Sequence, residues 1–342
     1  MRSIIRFQSL VASVLIVCLS AFALWGCNSS AGDLVNSIDP DRKPINKSIL
    51  GTNAFASDAR FGTPEQQFRE IRNQLGLRFV RVLFSWSDAV QPSPSASPNF
   101  GLYDNIVAAL PADMDALVVL VGAPSWLSNP TNLVDGSRRK TFAESWVRAV
   151  ATRYQNNPRI IGYQIWNEPN TTLFPENEFM GLVTDPVAYV EMLAFAHGVV
   201  KSISPGALVL NASTTAINQN YSETLDYNRA MRDAGALSFV DRWAIHYYGK
   251  QFENVVRNGG VEEFLDGLGV GVWVTESGAQ GVNSQLAYGE QVWNYLTDQI
   301  GSIERIYQYQ FAEATPADVS YGMRTLDPSF PVSDLYVSLS NG

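Results

Sequence analysis

Short apolar runs alternate with longer amphipathic segments from residue 48 almost to the end of the chain. The runs Ile49–Asn53, Phe79–Phe84, Ala116–Val121, Ile160–Asn167, Ala207–Asn211, Arg242–His246, Gly271–Glu276 and Ile303–Phe311 have the length and composition of strands. They are mostly apolar throughout, as expected of a parallel sheet covered on both faces. The intervening segments predict helices over Pro64–Leu75, Tyr103–Leu110, Lys140–Tyr154, Pro186–Ser204, Ser222–Ala234, Glu253–Leu268 and Ser284–Ile300, with a last short one over Val332–Leu339. Boundary residues agree: Thr63-Pro64 and Asp185-Pro186 open helices, and Gly76 and Ser204-Pro205-Gly206 close them. Eight strand–helix alternations in a chain of this length predict an α/β fold, a single (β/α)8 TIM barrel. An open doubly wound sheet is the structural alternative. It would usually carry a glycine-rich loop after its first strand, and Gly51-Thr52-Asn53-Ala54-Phe55 is no such loop.

The first 26 residues do not share the pattern. Arg2 and Arg6 precede an apolar stretch, Leu10 to Leu24, that suits a cleaved export signal better than a membrane span. Leu24-Trp25-Gly26-Cys27 resembles the bacterial lipobox, which implies cleavage before Cys27 and lipidation of its thiol, with an ordinary secretory signal as the alternative. Asn28 after that Cys favours an outer-membrane (periplasmic face) or cell-surface placement of an exported bacterial lipoprotein. Residues 27–47 read as the lipidated Cys and a polar tether, and residues 48–342 as the barrel domain.

Composition narrows the partners. The chain has two Cys and two His; Cys18 would leave with the signal and Cys27 would carry lipid. No disulfide is then expected, no metal ligand set is apparent, and a zinc centre fits poorly. The net charge is −9, from 24 basic and 33 acidic residues; without Arg2 and Arg6 it is 22 against 33, or −11. Nucleic acid and strongly anionic polymers would be repelled at long range, so a neutral or partly cationic glycan fits better. The acidity would serve solubility equally well. No dinucleotide, phosphate-loop, HExxH or EF-hand motif occurs, and no cofactor is expected. The expected assembly is a monomer, held to a membrane by the N-terminal lipid.

Two glutamates carry the chemistry. Glu168 in Ile165-Trp166-Asn167-Glu168-Pro169 and Glu276 in Val274-Thr275-Glu276-Ser277-Gly278 each end an expected strand. Polar residues at the C-terminal ends of barrel strands are the catalytic candidates of this fold. Two such carboxyl groups can cleave a glycosidic bond, one as acid and one as nucleophile. Other strand ends supply Arg81, Trp86, Trp126, His246, Tyr247, Tyr248 and Tyr309. Trp86 and Trp126 suit either sugar stacking or barrel packing. His197, in the middle of a predicted helix, reads as structural.

With Trp166-Asn167-Glu168-Pro169-Asn170 and Thr275-Glu276-Ser277-Gly278 placed 108 residues apart, the chain resembles the retaining glycoside hydrolases of the large (β/α)8 clan. The similarity is greatest to family 39, which includes β-xylosidases, iduronidases and bacterial exopolysaccharide endoglycosidases. Arg81-Val82-Leu83-Phe84-Ser85-Trp86, Pro124-Ser125-Trp126 and Tyr321-Gly322-Met323 fit the same pattern. The resemblance implies Glu168 as acid/base, Glu276 as nucleophile, Arg81 holding Glu276 ionised, and Asn167 on the sugar 2-hydroxyl. It also implies Tyr247 or Tyr248 donating to Glu276, with His246 on the same wall. Spacing does not decide between the two tyrosines. The expected substrate is a β-linked polysaccharide, an exopolysaccharide or matrix glycan cut internally. A non-catalytic glycan-binding lipoprotein on the same barrel and a transglycosylase remain as alternatives.

Overall fold

The computed structural model describes residues 40–218, 222–250 and 260–342, and Asp41–Gly342 forms one compact unit. The export signal, Cys27 and the tether as far as residue 39 lie outside the described residues, as does the 253–259 part of one expected helix. No helix among the described residues is long and apolar enough to cross a membrane.

Eight parallel strands make the sheet: β1 (Leu50–Asn53), β2 (Phe79–Ser85), β3 (Asp115–Val121), β4 (Ile160–Ile165), β5 (Leu208–Leu210), β6 (Trp243–Tyr248), β7 (Val272–Gly278) and β8 (Ile303–Gln308). They are ordered β5-β4-β3-β2-β1-β8-β7-β6. The two end strands meet through one parallel bridge, Leu210 to Arg242, so the barrel is nearly closed. Where the ladder gives out, a side chain replaces it. Asn211 Oδ1 accepts from the Ala244 N–H at 2.8 Å, and Asn211 Nδ2 donates to the Ala244 carbonyl at 3.1 Å. The expected (β/α)8 architecture is the one observed.

The helices are α1 (Pro64–Asn73), α2 (Gly101–Ala109), α3 (138–154), α4 (Pro175–Met180), α5 (Pro186–Ile203), α6 (Ser222–Asp233), α7 (Val261–Asp266), α8 (285–299) and α9 (Asp334–Asn341). Thr63 and Gln66 form a capping box at the start of α1, and Asp185 caps α5 by accepting from Ala188 N–H. Helices α3 and α8 each contain a π-helical stretch, Phe142–Val147 and Gly289–Trp293. Gly289 is required there, because a Cβ would lie 2.8 Å from the Trp293 ring and 2.9 Å from Ile45 Cδ1. Helix α4 was absent from the sequence reading, as was its role at the barrel mouth.

Two boundaries differ from expectation in ways that shape the site. Strand β4 ends at Ile165, not Asn167, because Trp166 takes a left-handed φ of 76° and turns the chain. Strand β7 runs past Glu276 to Gly278 but is bulged. Its register slips against β6 between Ile245 and His246, and against β8 between Val274 and Ser277. The extra residue lets consecutive side chains, Thr275 and Glu276, both reach the barrel interior, as a bulge beside an active site can. Thr275 meets Ser213 at 2.7 Å inside the barrel, while Ser277 already faces outward to Tyr288 and Trp293.

Residues 41–47, expected within the tether, dock on the barrel. Arg42 pairs with Glu290, the Lys43 N–H donates to the Glu290 carbonyl, and Lys47 reaches the Leu339 carbonyl at 2.6 Å.

The floor of the barrel is apolar. Phe79, Leu117, Leu210, Ala244, Trp273 and Tyr307 pack there, and the Arg305 guanidinium stacks 3.5 Å from the Phe79 centroid and 4.3 Å from that of Trp273. Above it lies a buried polar layer of Thr52, Gln164, Ser213, Thr275 and Gln308. The site stands on that layer.

Candidate active site

Alternation along β2 sends Val80, Val82 and Phe84 out to the helices and Arg81, Leu83 and Ser85 into the barrel. Arg81 is 1 % exposed and makes four side-chain hydrogen bonds. Its Nε donates to Gln164 Oε1 at 2.8 Å, Nη1 to Asn53 Oδ1 at 2.7 Å and to Glu276 Oε1 at 2.5 Å, and Nη2 to Asn167 Oδ1 at 2.7 Å. The planar fork of arginine suits this set in a way a lysine could not.

Glu276 is buried. Desolvation alone would raise its pKa, but the charges of His246 and Arg81, with hydrogen bonds from Arg81 and from Tyr248, outweigh it and hold the carboxyl below the ordinary glutamate value. Tyr248 Oη donates to Glu276 Oε2 at 2.9 Å. Burial first, and then the Glu276 charge, push the Tyr248 hydroxyl well above its usual range, so it stays a donor. Tyr247, on the opposite side of β6, packs in the outer core, and its carbonyl accepts from Tyr288 Oη at 3.2 Å. Of the two tyrosines, Tyr248 is the one that reaches Glu276.

Glu168 follows the left-handed turn at Trp166 and itself has φ 43°. Its N–H donates to the Ser213 carbonyl at 2.8 Å. His246 stands between the glutamates: Nδ1 is 2.9 Å from Glu168 Oε1, while Nε2, which makes no hydrogen bond, is 3.4 Å from Glu276 Oε1. Side-chain ligand atoms of Glu168, His246 and Glu276 all lie within 4.8 Å of one another. One carboxylate oxygen of each glutamate thus lies within 4.8 Å of the other, which is compatible with the closer, retaining spacing of paired carboxyl groups. The same trio could hold a cation. However, the Arg81 guanidinium lies against a Glu276 oxygen and opposes a second positive charge there.

These groups open into a pocket of about 380 Å³ lined by Arg81, Asn167, Glu168, Glu276 and Tyr309 from the expected set. Asn167 is half-buried, with Nδ2 uncommitted among the described residues. Tyr309 stacks edge-on with Phe55, Tyr248 and Tyr321. Trp86 and Trp126 are not part of the wall. Trp86 is buried, parallel to Trp146, and its Nε1 donates to Gln91; Trp126 packs edge-on against it and donates to the Gln91 carbonyl. Trp86 is thus enclosed in the core, while Trp126 is partly buried beside it. His197 contacts the Phe239 ring away from the site.

Sequence reasoning missed Asn53, Gln164 and Asn177, and the pocket residues Phe55, Phe174 and Glu176. Asn53 and Gln164 had a signal, being polar positions in strand segments otherwise apolar. Asn177 and Glu176 had none, because α4 follows an irregular loop.

The chain matches, over residues 38–192, the family model described as Cellulase (glycosyl hydrolase family 5). No curated protein matches it. Among solved structures it is similar to a family 39 glycoside hydrolase from the gut symbiont Bacteroides cellulosilyticus WH2, at TM-score 0.63 and 16% identity, covering 90% of this chain and 64% of that one. It is similar to a GH39 β-xylosidase from Caulobacter crescentus, at TM-score 0.61 and 14% identity, covering 88% and 72%. It is also similar to the catalytic domain of GH30 xylanase C from Talaromyces cellulolyticus, at TM-score 0.56 and 13% identity, covering 88% and 75%. The chain thus spans less than two thirds of the first of these relatives. Identities this low establish the barrel. The family model covers less than half of the chain, and with these neighbours it agrees with the expected resemblance to (β/α)8 glycoside hydrolases near family 39.

Proposed function

We propose that this protein is a retaining glycoside hydrolase that cuts a β-linked polysaccharide internally by double displacement. The observation that carries the reading is the pairing of Glu168 and Glu276 at the mouth of the barrel, one carboxylate oxygen of each within 4.8 Å of the other and their environments different. Glu276 is held ionised by Arg81 and oriented by Tyr248, which suits a nucleophile. Glu168 is more open to the pocket and bonded to His246, which suits the group that gives up and later recovers a proton.

In the first step the Glu276 carboxylate attacks the anomeric carbon while the Glu168 carboxyl proton passes to the glycosidic oxygen, and the bond to the leaving sugar breaks. In the second, Glu168 takes a proton from water as that water displaces Glu276, releasing the sugar with its original anomeric configuration. Asn167 lines the pocket, and its Nδ2 would donate to the sugar 2-hydroxyl. The N-terminal sequence supports a lipid anchor at Cys27 and an outer-membrane or cell-surface location, where an exopolysaccharide or matrix glycan would be the substrate. A monomer suffices, since one chain supplies every group of the site.

The test is reducing-end release from a panel of β-linked polysaccharides, including the host's own exopolysaccharide, by wild type and Glu276→Gln. Release by wild type alone supports both the activity and the nucleophile. Equal release by both sinks the role of Glu276. Binding without release by wild type removes the hydrolase reading.

A further inference from the structure

The loop after β4 and the start of α4 bring two side chains to the pocket that bond cleavage does not use. Phe174 is 44 % exposed and Glu176 is exposed; both line the pocket beside Glu168. Leu173, next to them, is 77 % exposed. Large apolar side chains left open at a pocket mouth mark a ligand surface. Glu176 has no hydrogen bond or ion pair among the described residues. The remaining charges of the wall are Glu168, Glu276 and Arg81, and four of the five Arg81 N–H groups are taken by protein acceptors. Among the described residues, a sugar entering the pocket therefore meets three carboxyl groups and, apart from that engaged guanidinium, no cation.

We propose that Phe174 and Glu176 form a leaving-group subsite selective for an amino sugar, a unit carrying an ammonium group, over an anionic one. This rests on the glycosidase reading above. The leaving-group side follows from the wall they share: Phe174 and Glu176, in the loop and first turn of α4 after β4, line the pocket with Glu168, the acid that protonates the leaving sugar. The Phe174 ring offers an apolar face to the C–H face of a pyranose, and Glu176 accepts from the ammonium. A uronate or sulfated unit in that place would be set against the Glu176 carboxylate, with no free cation beside it among the described residues.

The experiment uses the full chain and aryl glycosides of a sugar it cleaves, with phenol leaving groups of matched acidity bearing an aminomethyl, a neutral or a carboxymethyl substituent. Wild type should cleave the ammonium-bearing glycoside with higher kcat/KM than the carboxylate-bearing one, by about fivefold at low salt, as expected for exposed charge pairs, and the preference should shrink as salt screens it. Glu176→Gln should lower that preference by about two- to fivefold, and Glu178→Gln, outside the pocket, should leave it unchanged. Absence of the preference in wild type, or its survival in Glu176→Gln, overturns the subsite. Failure to cleave any glycoside would instead overturn the hydrolase reading. Equilibrium binding of glucosamine oligomers against their N-acetylated counterparts would then decide the subsite: a preference for the amine lost in Glu176→Gln supports it, and equal affinities overturn it.

Discussion

Asn177 Nδ2 donates to the Glu168 carbonyl oxygen at 2.7 Å while its Oδ1 accepts the Trp166 indole N–H at 2.7 Å, so one buried amide ties both ends of the left-handed turn that presents the acid/base candidate. A third bond, to the Thr171 carbonyl at 2.8 Å, fixes the loop beyond. Trp166 and Glu168 hold backbone conformations that cost non-glycine residues about 1–3 kcal/mol each unless their surroundings enforce them. Asn177→Ala should relax the turn and displace the Glu168 carboxyl. A displacement near 1 Å costs about a hundredfold in rate, so kcat should fall by about ten- to a hundredfold with KM little changed. Steady-state kinetics beside a thermal melt check this: an equal loss in Asn177→Gln would argue for positioning by length as well as chemistry, whereas unchanged kcat in a folded Asn177→Ala would refute the positioning role.

Arg81 binds four acceptors from three other strands and the loop after β4, and replacing it should be felt in both stability and acid–base behaviour. Arg81→Lys keeps a charge but cannot reach Gln164, Asn53, Glu276 and Asn167 together. Breaking a buried pair typically costs about 3–5 kcal/mol, and Arg81→Lys should lose about half of that, read from urea unfolding. With the Arg81 hydrogen bond to Glu276 weakened, Glu276 should titrate at higher pH, moving the acidic limb of the kcat/KM profile upward. A limb that stays in place in an active Arg81→Lys would show that Arg81 does not set the Glu276 charge.

The eight-strand alternation, the two glutamates and Arg81 were legible because each rests on a local rule: apolar runs of strand length, and polar residues at strand ends. The β7 bulge was not legible, since nothing in Val272-Trp273-Val274-Thr275-Glu276 announces that two successive side chains will face inward; the slip arises from pairing with β6 and β8. The choice of Tyr248 over Tyr247 depends on that register and was likewise out of reach. Trp86 and Trp126 stand next to strand ends in sequence, but packing against Phe142 and Trp146 decides where their rings go. Helix α4 begins at Pro175 inside a loop without periodicity, so Phe174, Glu176 and Asn177 came only from the structure.

Acid stability should carry the signature of Glu276. Its folded pKa is lowered from the ordinary value of 4.5, so the ionised form is preferred in the folded state. The resulting stabilisation is complete above the unfolded value and is lost as pH falls through the folded one, at about 1.4 kcal/mol for each unit of depression. Between about pH 5 and pH 3, wild type should lose unfolding free energy more steeply than Glu276→Gln, in which no proton is taken up at this site. Parallel slopes in urea titrations across that range would show that the Glu276 carboxyl is not depressed.

The barrel is nearly open at one place. Between β5 and β6 the backbone ladder is reduced to a single bridge, and Asn211 supplies the next rung with its side chain, accepting from the Ala244 N–H and donating to its carbonyl. Asn211 is fully buried, so Asn211→Ala leaves two backbone groups without partners where water does not reach, at about 1–3 kcal/mol for each group. The variant should lose roughly 2–6 kcal/mol of stability. Because β6 carries His246 and Tyr248, the loosening should also reach the site: the Ala244 amide should exchange hydrogen faster than those of β2 and β3, and kcat should fall while Arg81 and Glu276 remain paired. Asn211→Asp separates the two rungs, since it can still accept from the Ala244 N–H but presents a carboxylate to its carbonyl. It should therefore be no more stable than Asn211→Ala at neutral pH and should recover stability when acid protonates it. Wild-type stability in Asn211→Ala would mean that the single backbone bridge is enough to close the barrel.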